Sequence, residues 1–172
     1  LACIQGPPGT GKTRVLALIA KLLVTRGERI LVPSHPHMAI NNALNRIYEE
    51  GVETIKVGKH TSLKGLRPEV ECYETFREWE DCPKDAGYVI GATPFATCTS
   101  RLEEHLFDTV IFDEASQVTS PLALMAMRRA SDKDGLLAKQ DEAMKLLLDI
   151  QTGYRDFHAQ SLERIGMHPG AC

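Results

Sequence analysis

Residues 6 to 13 read Gly-Pro-Pro-Gly-Thr-Gly-Lys-Thr, a G-x-x-x-x-G-K-T run set between a short apolar stretch and a segment with helical periodicity. This spacing constrains the chain more than any other feature. A glycine-rich turn can aim several backbone N–H groups at one point, a lysine adds charge there, and a threonine hydroxyl can ligate a divalent cation. The helix that follows contributes the positive end of its dipole. Phosphate is the group such a loop takes, which implies a nucleoside triphosphate, ATP, with Mg2+. Gly6, Pro7, Pro8, Gly9, Thr10, Gly11, Lys12, Thr13 and Arg14 are the expected nucleotide-binding residues. Pro7 and Pro8 push the residue before each of them out of the helical region, so the loop enters extended.

A phosphate loop of this kind closes a strand of a parallel sheet, and the rest of the pattern agrees. Short β-type runs at 1–5, 29–33, 54–57, 88–92 and 109–112 alternate with helical stretches, which predicts an α/β fold whose sheet is covered on both faces. The first helix is expected over 13–25, with Val15, Leu16, Ile19, Leu22 and Leu23 at helical spacing and Gly27 closing it. The second is expected over 37–50, with Ile40, Leu44 and Ile47 on one face and Gly51 after it. Val110-Ile111-Phe112 reads as a strand buried on both faces. Residues 59–87 break the rhythm with an acidic segment, expected to be an inserted helix with loops. Its Tyr73, Phe76 and Trp79 form a small local core rather than a stacking surface, because the surrounding carboxylates repel phosphate.

With 172 residues, 43% of them hydrophobic, the chain suffices for one domain with a sizeable core and is too short for two full nucleotide-binding domains. The expected organisation is a domain over 1–130 and a helical tail over 131–172. Within that tail, 131–135 is a turn or linker and 136–150 an amphipathic helix. The net charge of −3 conceals an asymmetry: residues 1–70 hold ten Lys/Arg against five Asp/Glu, and residues 71–172 hold ten against eighteen. A mildly basic first part can face a polyanion, yet the chain as a whole is no strong electrostatic nucleic-acid binder. Five cysteines, Cys3, Cys72, Cys82, Cys98 and Cys172, lack C-x-x-C spacing, which argues against a metal clip or a disulfide framework. No apolar run approaches about 18 residues and no basic-then-apolar leader opens the chain, so an intracellular protein, cytoplasmic or nuclear, is expected.

Phosphoryl chemistry at such a loop requires a carboxylate at the end of another strand. Thr109-Val110-Ile111-Phe112 leads into Asp113-Glu114-Ala115-Ser116-Gln117 and supplies two. Asp113 is expected to hold Mg2+ together with Thr13, and Glu114 to act as base or to orient the attacking water. Lys12 is the catalytic cation of the set.

These motifs carry a family resemblance. Ile4 to Thr13 together with Asp113 to Gln117 resembles superfamily 1 helicases of the upframeshift, senataxin and Dna2 type. His37-Met38-Ala39-Ile40-Asn41-Asn42-Ala43-Leu44 is similar to the family's motif Ia, which touches the nucleic-acid backbone. Thr54 to Gly58 and Val89-Ile90-Gly91-Ala92-Thr93 resemble the segments that follow in order. The resemblance covers residues 1–129 and implies a RecA-like motor domain that binds ATP and carries single-stranded DNA or RNA across the carboxyl edge of its sheet. It makes Gln117 the reporter of the γ-phosphate. Ser34, His35, His37, Asn41 and Thr93 are short polar groups suited to sugar and phosphate contacts, which position a strand without reading its sequence. His35 and His37 read equally well as helix-capping or surface histidines.

The chain departs from the family after Met127, where a strand ending in Gly-Asp with a following Gln is expected and Arg128-Arg129-Ala130-Ser131-Asp132 stands instead. The family's second RecA-like domain, source of its arginine finger, has no counterpart, and Met167-His168-Pro169 is only a faint echo of a motif that opens it. The expectation is therefore a truncated first motor domain that binds Mg-ATP, turns it over slowly by itself and depends on a missing second domain or partner protein. Two other classes share the phosphate loop: a kinase of a small molecule or nucleotide, and a non-catalytic nucleotide-binding module. The kinase would need an arginine-rich lid, and only Arg128 and Arg129 are paired here.

Overall fold

Every strand pairing in the computed structural model is parallel, and five strands form one sheet. The structure describes residues 4–5, 9–102 and 105–131, which belong to one unit spanning Ala2–Lys133. In chain order the main elements are α1 (Lys12–Val24), β1 (Arg29–Pro33), α2 (His37–Glu49), β2 (Thr54–Val57), β3 (Cys72–Tyr73), β4 (Tyr88–Ala92), α3 (Pro94–Thr97), β5 (Thr109–Val110) and α4 (Ser120–Met127). Across the sheet the order is β3-β2-β4-β1-β5. Parallel strands need crossovers; α2 lies in the connection from β1 to β2, and α1 leads into β1.

Side-chain alternation along the strands divides the core in two. Ile30 and Val32 of β1 and Val89 of β4 point to one face, where Leu16, Ala17 and Ala20 of α1 and Ile40, Leu44 and Ile47 of α2 cover them. Leu31, Ile55, Val57 and Ile90 point to the other, beneath Trp79, Leu102, Phe107 and Ala126. Burial on both faces explains why β1, β2 and β4 read as continuous apolar runs.

Several expectations need correction. Helix α1 does not bury the stripe its apolar spacing suggests: Leu16, Ala17 and Ala20 face the sheet, whereas Val15, Leu18 and Leu22 stay 40–54% exposed. Small alanines win the inner face because α1 also packs closely on α2. Strand β5 stops at Val110, with Val110, Ile111 and Phe112 only half buried, since it forms an edge of the sheet among the described residues. The insert contains no α-helix; it holds the edge strand β3 and 3₁₀ turns at His60–Ser62 and Phe76–Glu78. The first expected strand lies mostly, and the helix over 136–150 entirely, outside the described residues.

The aromatic residues of the insert do form a local core. Trp79 is buried and meets Tyr88 of β4 edge-on at 5.1 Å, and Phe76 stacks on His105 at 4.2 Å. The Tyr88 hydroxyl lies 2.7 Å from Nε2 of His105 and donates to it when the neutral ring carries its proton on Nδ1. Burial favours that neutral state, pushing His105 down to about 4 and Tyr88 upward. At the start of β1, in register with Tyr88, Arg29 grips Asp108 with Nε and Nη2, both at 3.0 Å, holding that carboxyl at about 2 and fixing the start of β5 against β1. The pair is about a third exposed, so it sets register more than it adds stability.

Helix α2 approaches β4 closely only because residue 91 is glycine. A Cβ there would lie 2.6 Å from Leu44 Cδ1 and 2.7 Å from Ile40 Cγ2. Gly91→Ala should therefore cost about 1–3 kcal/mol through overpacking, seen as a lower urea midpoint. Gly58→Ala, where a Cβ meets nothing within 4 Å, should leave the midpoint nearly unchanged.

Candidate nucleotide site and neighbouring cleft

Helix α1 starts at Lys12 on Gly11, whose φ of +83° belongs to the left-handed region, and Gly9 at +80° repeats that conformation. A Cβ at either position would meet nothing within 4 Å, so glycine is required by backbone conformation and not by crowding. Gly11 offers no capping side chain, and the first turn of α1 carries no acidic residue. The helix thus presents an uncapped, electropositive end beside Lys12 and Thr13, the condition for binding an anion. Arg14 is exposed on the same turn, and Thr10 is exposed in the loop. Gly6, Pro7 and Pro8 lie outside the described residues.

The carboxylate arrives from a hundred residues away. Thr13 Oγ1 donates to Asp113 Oδ2 at 3.1 Å, joining the start of α1 to the chain just beyond β5. The other oxygen, Oδ1, accepts from the Glu114 backbone N–H at 3.0 Å. Glu114 is held at φ +51°, the one non-glycine among the described residues with positive φ. That left-handed residue costs roughly 1–2 kcal/mol and turns the chain sharply, so the exposed Glu114 projects away from the strand direction. Gln117, also exposed, ends the 3₁₀ turn Ala115–Gln117, its N–H donating to Glu114 O at 2.8 Å. Four of the expected catalytic or metal-binding side chains, Lys12, Thr13, Asp113 and Glu114, thereby occupy adjoining chain segments at one edge of the sheet.

The same edge carries a cleft of about 320 Å³, beyond the ends of β1, β2 and β4, lined by His37, Lys59, Thr93, Phe95, Thr99 and Arg101 among others. Thr93 caps α3 by accepting from the Ala96 N–H, and the exposed His35 meets Phe95 edge-on at 6.0 Å. Arg101 is anchored by one guanidinium nitrogen on Glu74 O at 2.8 Å. His37 opens α2 at the cleft wall; partial burial, then the nearby Lys56 and His35, push its pKa down, which favours the neutral ring.

Two residues expected to contact nucleic acid are not placed to do so. Asn41 has no exposed surface: its Nδ2 donates to Ser62 O and Lys64 O at 3.1 and 2.9 Å, and its Oδ1 accepts from Lys56 Nζ at 2.7 Å. Ser34 is likewise buried. Lys56 sits in the middle of β2 with zero exposure, its Nζ also donating to Ser62 O at 2.6 Å, and burial lowers its pKa. Asn45 extends the network, donating to Gly65 O at 2.7 Å and accepting from the Arg67 N–H. The polar face of α2 therefore holds the 62–67 loop against the sheet and shapes the cleft from inside. Sequence reading missed Lys56, Phe95, Lys59 and Arg101. Lys56 carried a signal, a lysine at the centre of a four-residue apolar strand, which must find partners indoors.

Fold and site together define a P-loop nucleotide-binding domain with a RecA-like parallel sheet. Residues 1–80 match the family described as AAA domain. Over 135 residues, 74% of this chain, it is 36% identical to the DNA replication ATP-dependent helicase/nuclease DNA2 of Saccharomyces cerevisiae, of which it covers 9%. It is 31% identical to the corresponding helicase/nuclease JHS1 of Arabidopsis thaliana, covering 76% of this chain and 10% of that one. The DNA polymerase alpha-associated DNA helicase A of Schizosaccharomyces pombe is 28% identical over 70% of this chain and 26% of its own length. The chain thus spans about a tenth of the first two relatives and a quarter of the third. Across the matched residues it is similar to superfamily 1 helicase motor domains of the Dna2-like kind.

The reassignment of Asn41 is directly testable. Asn41→Ala should destabilise the fold by about 2–4 kcal/mol, because it strips an acceptor from a buried cation and donors from two part-buried carbonyls. Asn42→Ala, on the exposed side of α2, should change the urea midpoint by less than about 0.5 kcal/mol equivalent. Loss of nucleic-acid affinity at unchanged stability in Asn41→Ala would restore the original expectation.

Proposed function

We propose that this chain is part of an ATP-driven motor that moves on single-stranded nucleic acid, with residues 1–130 forming its first RecA-like domain. The observation that carries the reading is the 3.1 Å contact between Thr13 and Asp113, which joins the phosphate loop to the carboxylate a hydrolase needs. A hydroxyl and a carboxylate are the hard oxygen donors that Mg2+ prefers, so the pair fits that ion. Bound there, Mg2+ would neutralise charge on the triphosphate. Lys12 would sit on the outer phosphates, and Gly9 to Arg14 would line the rest of the loop. Glu114 would take the proton of the attacking water as its oxygen bonds to the γ-phosphorus and the bond to the β–γ bridging oxygen breaks, leaving ADP and phosphate. Gln117, three residues on, is suited to report that change toward the cleft.

The cleft is suited to a nucleic-acid backbone: Lys59 and Arg101 supply charge, and His37 and Thr93 neutral hydrogen-bonding groups. The names of the relatives favour DNA, and an intracellular setting goes with it. Among the described residues no helix is long and apolar enough to cross a membrane. The arginine finger that the helicase resemblance implies would come from another domain, so the isolated chain is expected to bind ATP and hydrolyse it slowly. A kinase reading is disfavoured by Arg129, which is buried and donates through Nε to Thr97 O between α3 and α4 and so is not presented as a phosphate-contacting lid residue would be.

Titration of the 172-residue chain with fluorescent ATP and Mg2+ tests the proposal. Binding should weaken by about tenfold or more in Lys12→Ala, since a hydrogen bond to a charged group is worth about 1.5–3 kcal/mol. A single-stranded oligonucleotide should tighten it. ATP affinity indifferent to Lys12, or phosphate transfer to a small acceptor, would contradict the reading.

A further inference from the structure

The cleft contains one group that phosphate recognition does not explain. Phe95 is 55% exposed, the one aromatic among the exposed large hydrophobic side chains of the described residues, and it stands in a wall that also holds Thr93, Thr99, Lys59, Arg101 and His37. Leaving a phenylalanine in water forgoes much of the roughly 1.5–3 kcal/mol that burial would bring, so its position calls for an occupant. Resting on the nucleic-acid reading of this site, we infer that Phe95 is the platform on which one base of a single strand stacks, while Lys59 and Arg101 take the flanking phosphates.

Three observations support this assignment. The backbone that carries Phe95 is anchored: Thr93 caps α3, Pro94 fixes its first turn, and Thr97 Oγ1 donates to Pro94 O and Met125 O at 2.6 and 2.9 Å, tying α3 to α4. Only the rotamer freedom of the ring is then lost when a base lands on it. His35 stands edge-on to the same ring at 6.0 Å, flanking it without sandwiching it, as the 82° interplanar angle shows. The cleft volume of about 320 Å³ lies at the small end of ligand-sized sites, enough for one base with its sugar. The charges around it match a nucleotide and not an apolar peptide. Bases inside a duplex have their faces already covered, so this platform selects single strands, and it is indifferent to sequence because every base has a π-face.

The test compares a fluorescein-labelled twelve-residue oligo(dT) with an abasic strand of equal length, by anisotropy, on the full chain and on Phe95→Ala, Phe95→Trp and Lys59→Ala. Wild type should bind oligo(dT) about 5- to 150-fold more tightly than the abasic strand. Phe95→Ala should erase that difference and leave abasic binding unchanged, Phe95→Trp should keep it, and Lys59→Ala should weaken both strands equally. Equal wild-type affinity for the two strands overturns the inference, and so does a Phe95→Ala that weakens both alike or neither. If wild type binds neither strand while ATP binding stays Lys12-dependent, the nucleic-acid reading fails and Phe95 faces a protein surface instead.

Discussion

All-parallel pairing of the sheet is the constraint on which the rest of the structure depends. Because β1, β2, β4 and β5 run the same way, every strand delivers its carboxyl end to one edge, and every functional segment emerges there. The Thr13–Asp113 contact is a consequence: the start of α1 and the chain beyond β5 are a hundred residues apart in sequence, yet the crossover geometry leaves them 3.1 Å apart. In open parallel sheets ligands bind at this edge. Two sites share it here, with the phosphate loop and Asp113 toward the β5 side and the Phe95 cleft over β2, β4 and β1.

What separates the two sites is also what could connect them. Gln117 and Glu114 sit on a strained turn at the end of β5, while α3, which carries Phe95, is tied through Thr97 to α4, the helix that follows that turn. A change at the carboxylates therefore has a short covalent and hydrogen-bonded route to the cleft wall. The buried Lys56–Asn41–Ser62 network works on the other side, holding the 62–67 loop against the sheet.

Most of the fold was legible in the sequence because its strands are buried on both faces and its helices end in glycine. β1, β2 and β4 span the expected residues, and α2 buries the expected Ile40, Leu44 and Ile47. What misled was partnership. Periodicity shows that α1 is amphipathic but not which neighbour presses on it, so Leu22 was placed inside and Ala17 overlooked. Asn41 looked like a surface contact because nothing within α2 reveals the buried lysine in the next element, β2. The nucleotide residues were legible as a pattern, whereas Lys59 and the stretch from Phe95 to Arg101 come from two separate segments and only the fold assembles them.

The central claim is that the phosphate loop and the Asp113 turn form one nucleotide site. Its most direct test is a double-mutant cycle in Mg-ATP affinity, by calorimetry, on Thr13→Val, Asp113→Asn and the pair. Groups that share a bound ion should show a coupling energy of roughly 0.5–3 kcal/mol, the double variant binding more tightly than the two separate losses imply. Strict additivity, or ATP affinity unchanged in Asp113→Asn, would contradict the account.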